Sequence, residues 1–270
     1  MLIRQPFPAS WICNITRLFA WLVALSALQS LAQPPGKVQP KSGLDYASAD
    51  VRALQADDFA NPGMLWVARG ETLWNAPAGR SAASCASCHR EAPVSMKGVA
   101  ARYPRFDRGA GKVLNLEARI NRCRETRQQA EPLQYEAEDL LALTAYVAHQ
   151  SRGQPMVPAA DADSAAARER GREQYFRRQG QMNLACTHCH DRLAGRKLFS
   201  DTISEGHGNG YPAYRLEWQT LGSLQRRLRA CFTGVRAETP AFAAPELIEL
   251  ELYLVQRAGP LRVETPAVRR

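Results

Sequence analysis

No methionine follows Met182, and the whole chain holds only five histidines: His89, His149, His188, His190 and His207. So few imidazoles argue against a zinc site, which would need further His or Cys at close spacing. The apolar run Leu18–Leu28 falls well short of the roughly 20 residues a membrane-spanning helix needs. Alternating strand-type patterning is nearly missing, which points to an α-rich chain. The net charge of +9 is not gathered into a dense basic block, so nucleic acid is not expected as a partner. A basic surface suits an anionic substrate or an acidic partner instead.

Against these absences stand two short segments of identical form, Cys85-Ala86-Ser87-Cys88-His89 and Cys186-Thr187-His188-Cys189-His190. C-x-x-C-H is the attachment pattern for c-type haem: two thiols form thioethers to the porphyrin, and the adjacent His supplies the proximal iron ligand. Two covalently bound haem c groups are expected, attached at Cys85, Cys88, Cys186 and Cys189, with His89 and His190 as proximal ligands.

A repeat joins the halves. Arg69-Gly70 and Arg170-Gly171 stand 101 residues apart, as do Gly79 and Gly180 and the two haem segments. Farther on, Cys123 and Cys231 correspond with an offset of 108. The extra residues fall in the glycine-rich stretch Ser204–Pro212, which is expected to skirt the second haem. The fold class expected is therefore all-α, with two tandem cytochrome c-type domains related by internal duplication: residues 45–153 and 164–262, joined by a linker over 154–163. Residues 1–32 read as a secretory signal, with Arg4 and Arg17, the apolar run, and Ser30 and Ala32 ahead of the cut. Cleavage would remove two Arg and no acid, lowering the charge from +9 to about +7, and would leave a periplasmic protein with no membrane anchor.

The leader takes Cys13 with it, so six cysteines remain and two are not needed for haem attachment: Cys123 and Cys231. An electron-carrier cytochrome usually draws a distal Met from downstream. None lies beyond His190, which leaves His207 or Cys231 for the second haem; in the first half Met96, Met156 and Cys123 are available. Cys123 and Cys231 could pair as a disulfide, stay idle, or ligate iron as thiolates. Arg227, one helical turn before Cys231, with Arg226, Arg229 and Arg236 nearby, favours a thiolate and makes a pocket for a small anion.

The two C-x-x-C-H segments, together with Ala118-Arg119-Ile120-Asn121-Arg122-Cys123-Arg124 and Gln225-Arg226-Arg227-Leu228-Arg229-Ala230-Cys231, resemble the SoxA subunit of the SoxAX cytochrome in its dihaem form. The resemblance implies an L-cysteine S-thiosulfotransferase that joins thiosulfate oxidatively to a cysteine of the SoxYZ carrier protein. It implies a monohaem SoxX-type cytochrome as partner, and it assigns Cys231 as the catalytic cysteine and haem ligand, often a persulfide. Arg227 then binds substrate, His190 is the proximal ligand at the active site, and His89 with Cys123 forms the first axial pair. Two other readings use the same residues: a dihaem thiosulfate dehydrogenase that forms tetrathionate, and a plain dihaem electron carrier.

Overall fold

Two pairs of crossed helices carry the architecture. In a computed structural model describing residues 39–270, Met64–Asn75 packs on Glu138–His149, and Ala165–Phe176 packs on Pro245–Ala258. The partner helices form for legible reasons. Glu138 and Asp139 sit in the first turn, where acidic groups suit the helix dipole, and Leu140 to Ala148 are buried in an unbroken run. Pro245 opens the last helix at a position where its missing N–H costs nothing.

At each crossing stands a glycine. A Cβ on Gly70 would lie 2.1 Å from the Ala142 carbonyl oxygen, and one on Gly171 would lie 1.9 Å from that of Glu249. Beside them, Arg69 pairs with Asp139 and Arg170 with Glu249. Gly171→Ala should therefore destabilise the protein by about 2 kcal/mol or more, since backbone overlap outweighs the roughly 1 kcal/mol helix-propensity gain. Thermal unfolding reads this directly, and an unchanged Tm would show that the helices can separate freely.

The chain is mostly helical, but the all-α expectation needs correction: seven short strands occur among the described residues. Arg105–Asp107 pairs with Lys112–Leu114, and Lys197–Leu198 with Asp201–Thr202. Ala213–Arg215 pairs antiparallel with Thr220–Gly222 and parallel with Ala267–Arg269. Segments of two or three residues are too short to show a period of two, and the partner of Ala213–Arg215 lies some fifty residues away.

Two hairpins feed the helices that end near the spare cysteines. After Lys112–Leu114, Asn115 caps Leu116–Cys123 by accepting from the Ala118 N–H at 3.0 Å. After Thr220–Gly222, Ser223 caps Leu224–Gly234 by accepting from the Arg226 N–H at 3.1 Å. Each cysteine thus stands eight residues beyond its N-cap, and the cap sets the helix phase that aims it.

The expected linker is built into the structure. Met156 is buried with Ala101, Val255, Ala258 and Val263, and its N–H donates to the Leu261 carbonyl at 2.8 Å. Residues beyond 262 are also buried, among them Val263, Ala267 and Val268. Asn61 reaches across to donate to the Pro266 carbonyl at 2.9 Å. Pro40–Arg270 accordingly forms one compact unit. The expected signal over 1–32, with Cys13, lies outside the described residues. No described helix is long and apolar enough to cross a membrane.

Where the halves meet lies a cavity of about 70 Å³, lined by Asn115, Glu117, Thr144, Tyr211 and Glu251 among others. Asn115 donates to Glu251 at 3.3 Å and accepts from the Tyr135 hydroxyl at 2.9 Å, while the Thr144 hydroxyl has no partner. Burial, with Glu136 nearby, pushes the Glu117 carboxyl up to about 7, and burial beside Glu117 raises Glu251 as well. The folded pKa lies above the unfolded one, so this stabilisation is complete below about pH 4.5 and is lost as pH climbs through about 7. Glu117→Gln should flatten the pH dependence and exceed the wild type at pH 8 by up to about 3 kcal/mol. Denaturant melts from pH 5 to 8 test this; a wild-type curve that stays level would refute it.

Candidate active site

The helix Cys186–His190 turns the second C-x-x-C-H pentapeptide into a compact platform. His188 serves locally, its Nδ1 accepting from the Ala185 N–H at 3.1 Å. The His190 ring is fixed from behind: its Nδ1 lies 2.8 Å from the Ser204 carbonyl oxygen. A carbonyl only accepts, so Nδ1 carries a proton and Nε2 is the ring nitrogen left to face the Cys231 sulfur. Gly206, at φ +75°, lies flat against the same ring; a Cβ there would stand 2.7 Å from His190 Cγ.

Cys231 faces His190 from the helix Leu224–Gly234. Burial alone would raise its thiol, but the His190 hydrogen bond and the charges of Arg227 and Arg215 outweigh burial and hold it below the ordinary cysteine value. Its neighbours behave oppositely. Burial, with Cys231 adding to it, pushes Cys186 up to about 11 and raises Cys189 as well. The site therefore separates one thiol suited to ionise from two that resist it. Arg227 stays a cation: burial would lower it, yet Cys231, Tyr211 and Glu217 together raise it.

The other arginines sort themselves by what they touch. Arg226 stacks on Trp218 at 4.3 Å and lies 3.8 Å from Glu136. Arg229 stacks on Phe242 at 4.3 Å and donates to the Pro240 carbonyl, while Arg236 is exposed. Arg227 is thus the member of the basic helix turned toward the sulfur. Arg215, 6% exposed and held by Glu217 at 2.9 Å, joins it from the hairpin. Sequence reasoning missed Arg215, Ser204 and Gly206. The glycine-rich loop was a signal for the last two; nothing local marks Arg215.

In the first half, Cys85–His89 forms the matching helix, with Ser84 accepting from the Ser87 N–H at 3.0 Å. Trp74 flanks His89 at 5.7 Å between ring centroids and donates to the Arg90 carbonyl. Burial raises the Cys85 thiol, and Cys123 is the next contributor, which places Cys123 against this motif. Cys123 and Cys231 are both free and stand beside different C-x-x-C-H segments, so they do not pair as a disulfide. Met96 is buried with Trp74, Leu141 and Tyr146, and Met156 in the core cluster described above. His207 turns its Nε2 to Glu205 at 3.2 Å.

An imidazole held at Nδ1 by a backbone carbonyl, a cysteine facing its other nitrogen, and two flanking cysteines form a donor set suited to a c-type haem with His/thiolate ligation. His190 and Cys231 would hold the iron there, and Cys186 and Cys189 the porphyrin.

Comparison with known proteins agrees with this chemistry. The family model described as SoxA/TsdA, cytochrome c domain, matches residues 69–156. The L-cysteine S-thiosulfotransferase subunit SoxA of Pseudaminobacter salicylatoxidans is 43% identical over 230 residues, covering 85% of this chain and 80% of that protein. The subunit of the same name from Rhodovulum sulfidophilum is 38% identical over 229 residues, with the same shares covered. The crystal structure of SoxXA from P. pantotrophus has a TM-score of 0.82 at 35% identity, covering 86% of this chain and 87% of that one. Likeness of this extent in both sequence and fold makes the chain a member of the L-cysteine S-thiosulfotransferase subunit SoxA family.

Proposed function

We propose that the chain, acting as an L-cysteine S-thiosulfotransferase, joins thiosulfate to a cysteine of a SoxYZ-type carrier at Cys231, with a SoxX-type cytochrome as its partner. The observation that carries this reading is the placement of the Cys231 sulfur between the Arg227 guanidinium and the His190 ring, whose Nδ1 is held by the Ser204 carbonyl.

The net change is a carrier thiol plus a thiosulfate dianion giving a carrier-bound S-thiosulfonate, one proton and two electrons. Arg227, with Arg215 beside it, holds the anion next to the Cys231 sulfur. A cationic wall also favours the thiolate over the thiol, so the sulfur is ready for exchange with either reactant. His190 keeps its proton on Nδ1 through Ser204 and offers Nε2 to the iron. Haem, when bound, supplies one-electron acceptance close to the sulfur, at a potential that thiolate ligation lowers relative to Met.

Two haem c groups, with axial pairs His89/Cys123 and His190/Cys231, fit the two matching sites. Their common origin by duplication is supported by the shared glycine crossings, the hairpin before each cysteine helix, and the eight-residue spacing from N-cap to cysteine. Residues 1–32 would direct the chain to the periplasm, where covalent haem attachment takes place.

The test is partner dependence. Thiosulfate-dependent reduction of the haem-loaded protein should require the carrier cysteine, and the product should be a carrier bearing one thiosulfonate by mass. Equal turnover without any carrier, with tetrathionate released, would instead establish a thiosulfate dehydrogenase.

A further inference from the structure

The loop that backs His190 is fastened at one residue. Glu205 lies between Ser204, whose carbonyl accepts the His190 Nδ1–H, and Gly206, which lies against the ring. Its carboxylate gathers three donors: the Lys41 backbone N–H at 2.9 Å, the Tyr46 hydroxyl at 2.9 Å, and His207 Nε2 at 3.2 Å. Its backbone carbonyl accepts from Arg257 at 2.9 Å, and Arg257 also pairs with Asp191, the residue after His190. Asp191 in turn accepts from the Tyr175 hydroxyl at 2.8 Å. Lys41 and Tyr46 come from more than 150 residues away, so a segment remote from the haem motif holds the loop from outside. The first half has no counterpart: among the described residues no hydrogen bond to the His89 ring is seen, and its neighbour is Trp74.

We propose that Glu205 is a positioning residue, pinned by Tyr46 and Lys41, that presses the Ser204 carbonyl onto His190 Nδ1 and so sets how strongly Nε2 donates to the second haem. The inference rests on His190 and Cys231 being the axial pair of that haem. A firm acceptor on Nδ1 makes the imidazole a stronger donor, and a stronger donor stabilises the oxidised metal. Loosening the loop should therefore raise the potential of the second haem and leave the first alone.

The experiment is an EPR-monitored redox titration of the haem-loaded protein as wild type, Glu205→Ala, Glu205→Gln and Tyr46→Phe. Cys231→Ala identifies which low-spin signal belongs to the second haem. Glu205→Ala should lower the oxidised-to-reduced ratio of that haem at fixed potential by about tenfold, in line with the usual cost of losing an outer partner of a ligating His. Tyr46→Phe, which removes one hydroxyl and leaves the fold intact, should shift it the same way by less. Glu205→Gln keeps an acceptor oxygen and should restore most of the wild-type value, with the first haem unmoved throughout. No shift in either Glu205→Ala or Tyr46→Phe would overturn the proposal, as would equal shifts in both haems. If Cys231→Ala abolishes no signal, the axial assignment itself fails, and the proposal fails with it.

Discussion

Replacing Cys231 with Ala should leave both haems covalently attached yet abolish thiosulfate-dependent reduction. With attachment at Cys186 and Cys189 as proposed, on another helix, the haem absorbance per chain should be unchanged. What disappears is the sulfur between His190 and Arg227, and with it the His/thiolate low-spin EPR signal of the second haem. No neighbour can take over, because haem attachment at the C-x-x-C-H segment would consume the sulfurs of Cys186 and Cys189. A parallel Cys123→Ala protein should lose a different signal, since Cys123 stands against Cys85 in the other half. Spectra untouched by either change would mean that both cysteines are idle, and the active-site assignment would have to be withdrawn.

The second large effect is expected from Arg227→Gln. Glutamine retains hydrogen-bonding capacity and most of the volume but loses the charge. Thiosulfate is a dianion, and charge-assisted contacts to a partly buried guanidinium are worth about 1.5–3 kcal/mol. A loss of roughly 10- to 150-fold in kcat/KM follows, seen largely in KM if the arginine acts equally on bound substrate and transition state. The same change should raise the Cys231 pKa, because Arg227 is one of the charges holding that thiol down. Arg226→Gln is the control: its side chain stacks on Trp218 and lies near Glu136, so kcat/KM should move little. Equal losses in the two variants would show that the basic helix acts as a diffuse surface charge.

Much of the site could be read in advance because it is local. C-x-x-C-H places two thiols and an imidazole on one turn of helix, and that geometry depends on five consecutive residues alone. Arg227 and Cys231 share a helix face for the same reason. The 101- and 108-residue offsets were visible because matching packing demands matching residues: glycine at each helix crossing, and a polar cap eight residues before each cysteine. What was not legible concerns longer distances. Within the stretch read as a linker, Met156 has a pocket made by residues 101, 255, 258 and 263, which no local pattern marks. The short strands escaped notice because hairpin and C-terminal partners, not a hydrophobic period, define them.

The sequence by itself thus determined what chemistry the chain carries: haem attachment, a spare thiol in each half, and a cation one turn from the second. Local spacing along a helix is enough to settle those features. Tertiary structure decided how that chemistry is tuned. Only folding brings the Ser204 carbonyl to His190, Arg215 to the side of Cys231, Tyr46 to Glu205, and Glu117 to Glu251. These pairings are set by how helices and hairpins pack over separations of up to about 160 residues, and a pattern confined to one segment does not encode what will be packed against it.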